Sequence, residues 1–558
     1  MMSRLLAAVA VSCVASLADA QPRTVYLNAN VHTMDPARPR AEAFVVESGR
    51  FVAVGSNADA IAAAGPEAER IDLREMTVLP GLIDAHGHMA GLGALGLGML
   101  DLRLSRSYDE VVAIVAARAR TTPPGEWIVG RGWDHESWPD KRLPTHDALS
   151  AAVPDHPVWL SRVDGHAGLA NDAAMRLARI ADDTADPPGG EIVRDAHGRA
   201  TGILIDNAMP IVRAAITGAG VGTTEELLLK AQELCLAVGL TGVHDAGVGP
   251  DEIETYKCLD ADGRLKMRIH AMVAAAYAPR YFEEQGIHEG PRLSVRAAKY
   301  YIDGAMGSRG AWLLDPYADR PVGPGGDAWH GLAVTQPEAI ETAARHAIIH
   351  GYQLCTHAIG DRANRAVLDA YERALASSPS PDHRFRIEHA QLLHADDIPR
   401  FAALGVIPSM QPTHCTSDMR WVYARVGPER GRGAYAWASL LRTGARIAGG
   451  SDFPVESHNP FLGLHAAVTR QTAEGDPPGG WHTEQRMTGE EALRAFTLDA
   501  AYAAFWEEIT GSIAPGKEAD FIVIDRDALT CEPGEIPGTR VLRTVVAGET
   551  VFENELRE

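Results

Sequence analysis

Leu79-Pro80-Gly81-Leu82-Ile83-Asp84-Ala85-His86-Gly87-His88 is an apolar strand that runs out into two histidines. On a strand, residues i and i+2 share a face, so His86 and His88 project side by side. Two neutral imidazoles so placed reach a common cation, at about 2.0–2.1 Å if it is zinc. Taken alone, His-x-His also fits two ordinary histidines. Its meaning rests on what the rest of the chain brings to the same place.

Seven more strand-like segments follow, at 242–245, 268–273, 294–302, 353–357, 385–389, 406–410 and 446–450. With 79–86 they make eight, the number that closes a (β/α)8 TIM barrel, and helical patterns such as 223–238 and 337–350 separate them. Lys299 sits within one of these strands, His357 and His389 end two others, and Asp452 follows the last. In a barrel those positions converge on the C-terminal rim. Packing alone would put apolar residues there, because buried charge is costly unless paired or bound to metal.

The two ends of the chain have a different texture. Segments 24–31, 43–47 and 51–54 are β-rich, with Ser48-Gly49-Arg50 as a hairpin turn; 519–525, 541–546 and 549–552 repeat the pattern around Ala547-Gly548. The expected α/β fold therefore carries a small β-sandwich made from both ends, 21–79 and 510–558, around a barrel at 80–509. The stretch from 90 to 240 is too long for one βα unit. It contains Trp127-Ile-Val-Gly, Pro157-Val-Trp-Leu and Pro187-Pro-Gly-Gly, and reads as an insertion at about 92–220 lying over the barrel mouth.

With 52 basic against 74 acidic residues the net charge is −22, which argues against nucleic acid and against docking on anionic lipid. Arg4, an apolar run at 5–17 and Ala18-Asp19-Ala20 read as a secretory leader, giving a start near Gln21 and a periplasmic or secreted location. An uncleaved anchor or a misassigned start stays open, and no later stretch is long enough for a stable membrane anchor. Of six cysteines, Cys13 lies in the leader; the other five have no framework spacing, which leaves at most an isolated bridge open. GLGALGLG (91–98) lacks the Lys-Ser/Thr of a phosphate loop, and no GxSxG elbow occurs.

LPGLIDAHGH (79–88) and GSIAPGKEADFIVID (511–525) resemble the opening and closing stretches of the amidohydrolase superfamily. KYYIDGAMGSRGAWL (299–313), THAIGDRAN (356–364), RIEHAQ (386–391), GSDFPV (450–455), VDGHAGLAN (163–171), GGEIVRD (189–195) and GRATGILID (198–206) are similar to its YtcJ-like branch, amidohydrolase family 3. The resemblance implies one or two divalent metal ions, zinc foremost. His86, His88 and Asp452 would hold the more buried one, and His357 and His389 the second. Lys299 would be carboxylated and bridge the two. An ammonium only donates, whereas a carbamate offers two oxygens; burial favours the neutral amine that reacts with CO2. An unmodified Lys299 paired with a carboxylate such as Asp303 stays open.

The implied activity is metal-dependent hydrolysis of an amide or related C–N bond in a small N-acyl or N-formyl compound. Asp452 would carry the proton and His166 would contact the carbonyl. Asp303 and Arg309 are candidates to position substrate or orient a ligand. Trp133, Trp138 and Trp312 are candidates to line the pocket, and His244 and Asp245 to back the ligands. The alternatives are a mononuclear deaminase or cyclic-amide hydrolase, and a non-catalytic metal-containing binding protein. The expected partners are a small-molecule substrate and, by resemblance, a second copy in a homodimer.

Overall fold

Barrel strand β1 (Leu82–Gly87) leaves the sandwich strand Thr77–Pro80 through one residue, Gly81. A Cβ there would lie 2.2 Å from Thr241 Oγ1, so only glycine lets the two strands pass this closely. The computed structural model describes residues 23–217, 220–323 and 325–554; the expected leader and the start near Gln21 lie outside them.

The remaining barrel strands are β2 (Leu240–Val248), β3 (Arg268–Ala274), β4 (Leu293–Tyr301), β5 (Gln353–Ala358), β6 (Arg386–His389), β7 (Ile407–Met410) and β8 (Ala448–Gly449). They pair in chain order, all parallel. Closure comes just past the end of β8. Asp452 N–H donates to His86 O at 2.7 Å and His88 N–H to Phe453 O at 2.8 Å. The fold is the expected TIM barrel with an extra β domain. The expected strand at 79–86 is divided at Gly81 between sandwich and barrel.

Helix starts follow local chemistry. Thr224–Ala237 opens on a capping box between Thr223 and Glu226, and Pro250–Ala261 and Pro337–His350 begin on proline, whose missing N–H costs nothing there. Strands β2 to β5 are buried along most of their length because helices cover their outer face.

Two further sheets stack at the foot of the barrel. One joins Thr24–Leu27, Ala43–Glu47, Arg50–Gly55 and Glu69–Asp72. The other joins Asn30–His32, Arg40–Ala41 and Thr77–Pro80 to Phe521–Ile524, Val541–Val546 and Glu549–Glu553. Phe521–Ile524 pairs antiparallel with Thr77–Pro80 and so stitches the two ends of the chain together. Between the sheets Phe44 stacks on Tyr26 at 4.8 Å and meets Phe521 edge-on at 4.9 Å. Arg268, at the start of β3, pins this domain to the barrel: its Nε donates to Asp520 Oδ2 at 2.7 Å, and Nη2 pairs with Glu518.

Between β1 and β2 the chain builds a third sheet, with Ile128–Trp133 parallel to Val158–Arg162 and Ala167–Ala170 antiparallel to Ala200–Asp206. The turn before Ala167 carries His166 over the barrel's C-terminal end, its ring 4.8 Å from that of His357. Cys235, Cys258, Cys355, Cys415 and Cys531 are free thiols, and no helix among the described residues is long and apolar enough to cross a membrane.

Asp520→Ala would strand the buried Arg268 charge with Glu518 alone. We expect a loss of about 3 kcal/mol, the lower end for breaking a buried pair because one carboxylate remains. Urea unfolding measures it, and a change within about 0.5 kcal/mol would refute the pinning role.

Candidate metal centre

His86 is in β1, His389 ends β6, and Asp452 lies three residues beyond β8. One ligand atom from each lies within 4.8 Å of the others. His389 (φ 73°) and Asp452 (φ 60°) are both left-handed, a costly backbone state for these residues that the surrounding barrel must impose. Asp452 Oδ1 faces His88 Nε2 at 3.0 Å and His86 Nε2 at 3.7 Å. Lys299 Nζ, from β4, lies 2.9 Å from His86 Nε2. The His357 ring, from β5, is 4.6 Å from that of His389.

The histidines are oriented from behind. His86 Nδ1 is 2.5 Å from Glu388 Oε2, and His389 Nδ1 is 2.8 Å from Gln411 Oε1. Both acceptors fix the Nδ1–H tautomer, so each Nε2 lone pair is left for the centre. Arg386 Nη2 braces Glu388 Oε2 at 3.0 Å and reaches Ala85 O and Ser409 Oγ at 2.6 and 2.8 Å. Asp303 accepts from Trp312, Ile359 and Gly360 N–H at 2.8–3.0 Å, and its Oδ1 lies 3.5 Å from His357 Nε2.

The protonation states suit cation binding. Burial pushes His86 down to about 4, with the Lys299 charge adding to the effect against Glu388 and Asp452. Burial also holds His357 and His389 well below the usual imidazole range, so the rings are neutral, as ligands must be. Burial alone would raise Asp452, but its net shift within the cluster puts it well below the usual carboxylate range. Burial lowers Lys299 toward the neutral amine and raises Asp303 to about 7. For His166 burial also lowers the pKa, but Asp206, 2.7 Å from Nδ1, outweighs it and the net shift is upward. Asp452 Oδ1 and His357 Nε2 are buried with no hydrogen-bond partner. Orphaned acceptors of this kind, set among neutral imidazoles and an ionised carboxylate, fit a divalent cation.

Two cavities meet at this cluster, and Asp452, His166, His357 and His389 line both. The outer, of about 280 Å³, is bounded by Asp134, Arg162, Asp418, Trp421 and Glu456. The inner, of about 440 Å³, is bounded by Arg131, Asn207, Arg213, Lys299 and Tyr301.

The structure thus gathers His86, His88, Lys299, His357, His389, Asp452 and His166 at one rim. His389, expected beside His357 on a second cation, lies equally within the His86–Asp452 cluster. Asp303 lines the inner cavity but spends its oxygens on three backbone amides, which makes it a brace for the backbone just beyond His357 rather than a substrate contact. Several expectations fail. Trp133 does not line either cavity: a register shift between Arg131 and Trp133, with Gly132 at φ 105°, turns its indole into the insertion's core, where Nε1 donates to Leu160 O. Arg309 is held away from the cluster by its ion pair with Asp319 at 2.9 Å and borders a separate surface cavity. Trp138 is likewise core, donating to Ser105 O. His244 and Asp245 do sit behind the site, on Arg386 Nη1 and on Met89 N–H.

Glu388, Gln411, Arg386 and Asp206 were not singled out by the sequence. Glu388 lies inside the quoted RIEH, but strand alternation sets it on the face opposite His389. The left-handed turn at His389 is what lets both reach the His86 ring.

The sequence profile described as the amidohydrolase family matches residues 69–552. The chain is 32% identical to the amidohydrolase YtcJ of Bacillus subtilis, covering 94% of this chain and 98% of that one. It is 31% identical to an N-substituted formamide deformylase of Arthrobacter pascens, with the same coverage, and 33% identical to Protein LONG AFTER FAR-RED 3 of Arabidopsis thaliana over 94% and 91%. Among solved structures, an uncharacterized metal-dependent hydrolase from Pyrococcus horikoshii superposes with a TM-score of 0.72 at 28% identity, covering 92% of this chain and 99% of that one. With a profile and relatives that span nearly the whole sequence, the chain belongs to the amidohydrolase family and is a hydrolase acting on carbon–nitrogen bonds.

Proposed function

We propose that the protein hydrolyses the amide bond of a small N-formyl or N-acyl compound with the help of one or two divalent cations, zinc foremost. His86, His88, His357, His389 and Asp452 would hold them, together with Lys299 as its carbamate. The observation that carries this is the buried, unpartnered Asp452 Oδ1 facing two imidazole Nε2 atoms. Its similarity to an N-substituted formamide deformylase supports the substrate class.

A cation in this donor set supplies Lewis acidity, polarising a carbonyl and acidifying water. The chain's own residues supply the rest. Asp452 takes the proton of the attacking water and passes it to the departing nitrogen, so the amine leaves neutral. His166, fixed through Nδ1 by Asp206, presents Nε2 to the cavity and donates to the carbonyl oxygen as negative charge gathers there. Glu388 and Gln411 keep two histidine tautomers fixed throughout. The leader-like N-terminus supports action in the periplasm or outside the cell.

Asp452→Asn keeps the shape and removes the base. Turnover of an N-formyl amine should fall by about 10²–10⁴ with the circular dichroism unchanged; near-normal kcat would refute the proton-carrying role. Elemental analysis of zinc-loaded protein should give up to two equivalents. Chelation should lower Tm and zinc should restore it, because ligand binding to the folded state stabilises it. Lys299→Ala should bind less metal, and incubation with ¹³C-bicarbonate should label a carbamate carbon in the wild type alone. One equivalent of metal without that signal would replace the bridged pair with a mononuclear centre.

A further inference from the structure

The inner cavity is lined by two arginines whose pairing differs from that of the other arginines around the cleft. Around the cleft, arginines are otherwise matched: Arg103 to Asp101, Arg162 to Asp134 and Asp164, and Arg420 to Asp134. Arg131 and Arg213 line the same cavity as Lys299, His166 and Asp452, yet neither has an ion-pair partner among the described residues. Arg131 donates Nη2 to Val163 O at 3.2 Å, and its Nε is buried with no partner. The register shift that buries Trp133 leaves Arg131 on the cavity wall. Arg213, from the helix Met209–Arg213, reaches solvent at the edge, and the Tyr301 phenol faces the same space. Burial lowers the Arg131 pKa to about 10 despite the nearby Asp452 charge. A half-buried guanidinium with no direct ion-pair partner is costly, and a bound anion offsets that cost.

The outer cavity has the opposite imbalance. Asp418 accepts from Gln391 Nε2 and Tyr435 Oη, and Glu456 from Ser417 Oγ, all neutral groups. The arginines without an ion-pair partner and the acids held only by neutral donors therefore lie in different cavities, on either side of the reacting centre.

We infer that the substrate amide carries a carboxylate, held in the inner cavity between Arg131 and Arg213 with the Tyr301 phenol as a further donor. Guanidinium forks match a carboxylate's two oxygens, and charge-assisted hydrogen bonds of this kind are the strong ones. The cavity also contains Asp164, Asp206 and Asp303, which suits a singly charged ligand over a doubly charged phosphate. The substrate class narrows to acidic N-acyl compounds of the N-acyl amino acid type. This narrowing rests on the amide-hydrolase reading.

The test compares N-formyl-leucine with its C-terminal methylamide, by kcat/KM and, independently, by calorimetric binding to zinc-loaded protein. The acid should be preferred about 10-fold or more by both measures. In Arg213→Gln, an exposed position that tolerates change, that preference should collapse toward one, chiefly through KM; Arg131→Gln should do the same if it folds. Equal kcat/KM and equal affinity for the two compounds in the wild type would overturn the carboxylate site while leaving amide hydrolysis standing. A preference unaltered in Arg213→Gln would also overturn it. If neither compound is turned over, the amide-hydrolase reading fails for this class, and the calorimetric comparison of wild type with Arg213→Gln still decides whether the anion site exists.

Discussion

The whole centre hangs on the seam where the first and last barrel strands meet. Asp84, fully buried in β1, accepts from Ser451 N–H at 3.0 Å and Ser451 Oγ at 2.6 Å, and from His86 N–H at 3.0 Å. One residue on, Asp452 N–H closes the barrel onto His86 O. The same two or three residues therefore complete the fold and set the distance between His86, His88 and Asp452. There is no slack here: a Cβ on Gly450 would lie 2.7 Å from Asp84 Oδ1. Burial raises Asp84 to about 7, a cost its hydrogen bonds to Ser451 and the His86 amide partly offset.

Beneath that seam the barrel interior is polar where packing alone would make it apolar. Arg386 has no exposure, yet it touches His244, Ala85 O, Ser409 and Glu388. Its charge keeps Glu388 ionised, Glu388 fixes His86, and the His86 lone pair is left for the rim. A buried guanidinium is tolerated because several acceptors surround it. Bracing from below and strain at His389 and Asp452 from above produce the same result, a set of acceptors aimed inward before any cation arrives.

The insertion gives the rim its second wall. It contributes His166 and Arg131, while the barrel contributes the cluster of histidines with Asp452, and Tyr301. The barrel thus carries the chemistry common to the fold, and the inserted sheet, together with the outer acids Asp418 and Glu456, shapes what can approach it.

The sequence by itself determined the α/β barrel, because apolar strand runs recur between helical periods and because polar residues stand where those runs end. It also determined that His86, His88, His357, His389, Lys299 and Asp452 would meet, since a closed parallel barrel sends every strand end to one rim. It did not determine which way a side chain turns at a strand end. Alternation puts Glu388 and His389 on opposite faces, and Trp133 with Arg131; a left-handed residue in one case and a shifted register in the other break the alternation. Only the folded chain decided that Glu388 braces His86, that Trp133 is core and Arg131 cavity wall, and that Arg309 is spent on Asp319. Those outcomes depend on local backbone excursions and on side-chain partners from 10 to 302 residues away, neither of which leaves a periodic trace in the sequence.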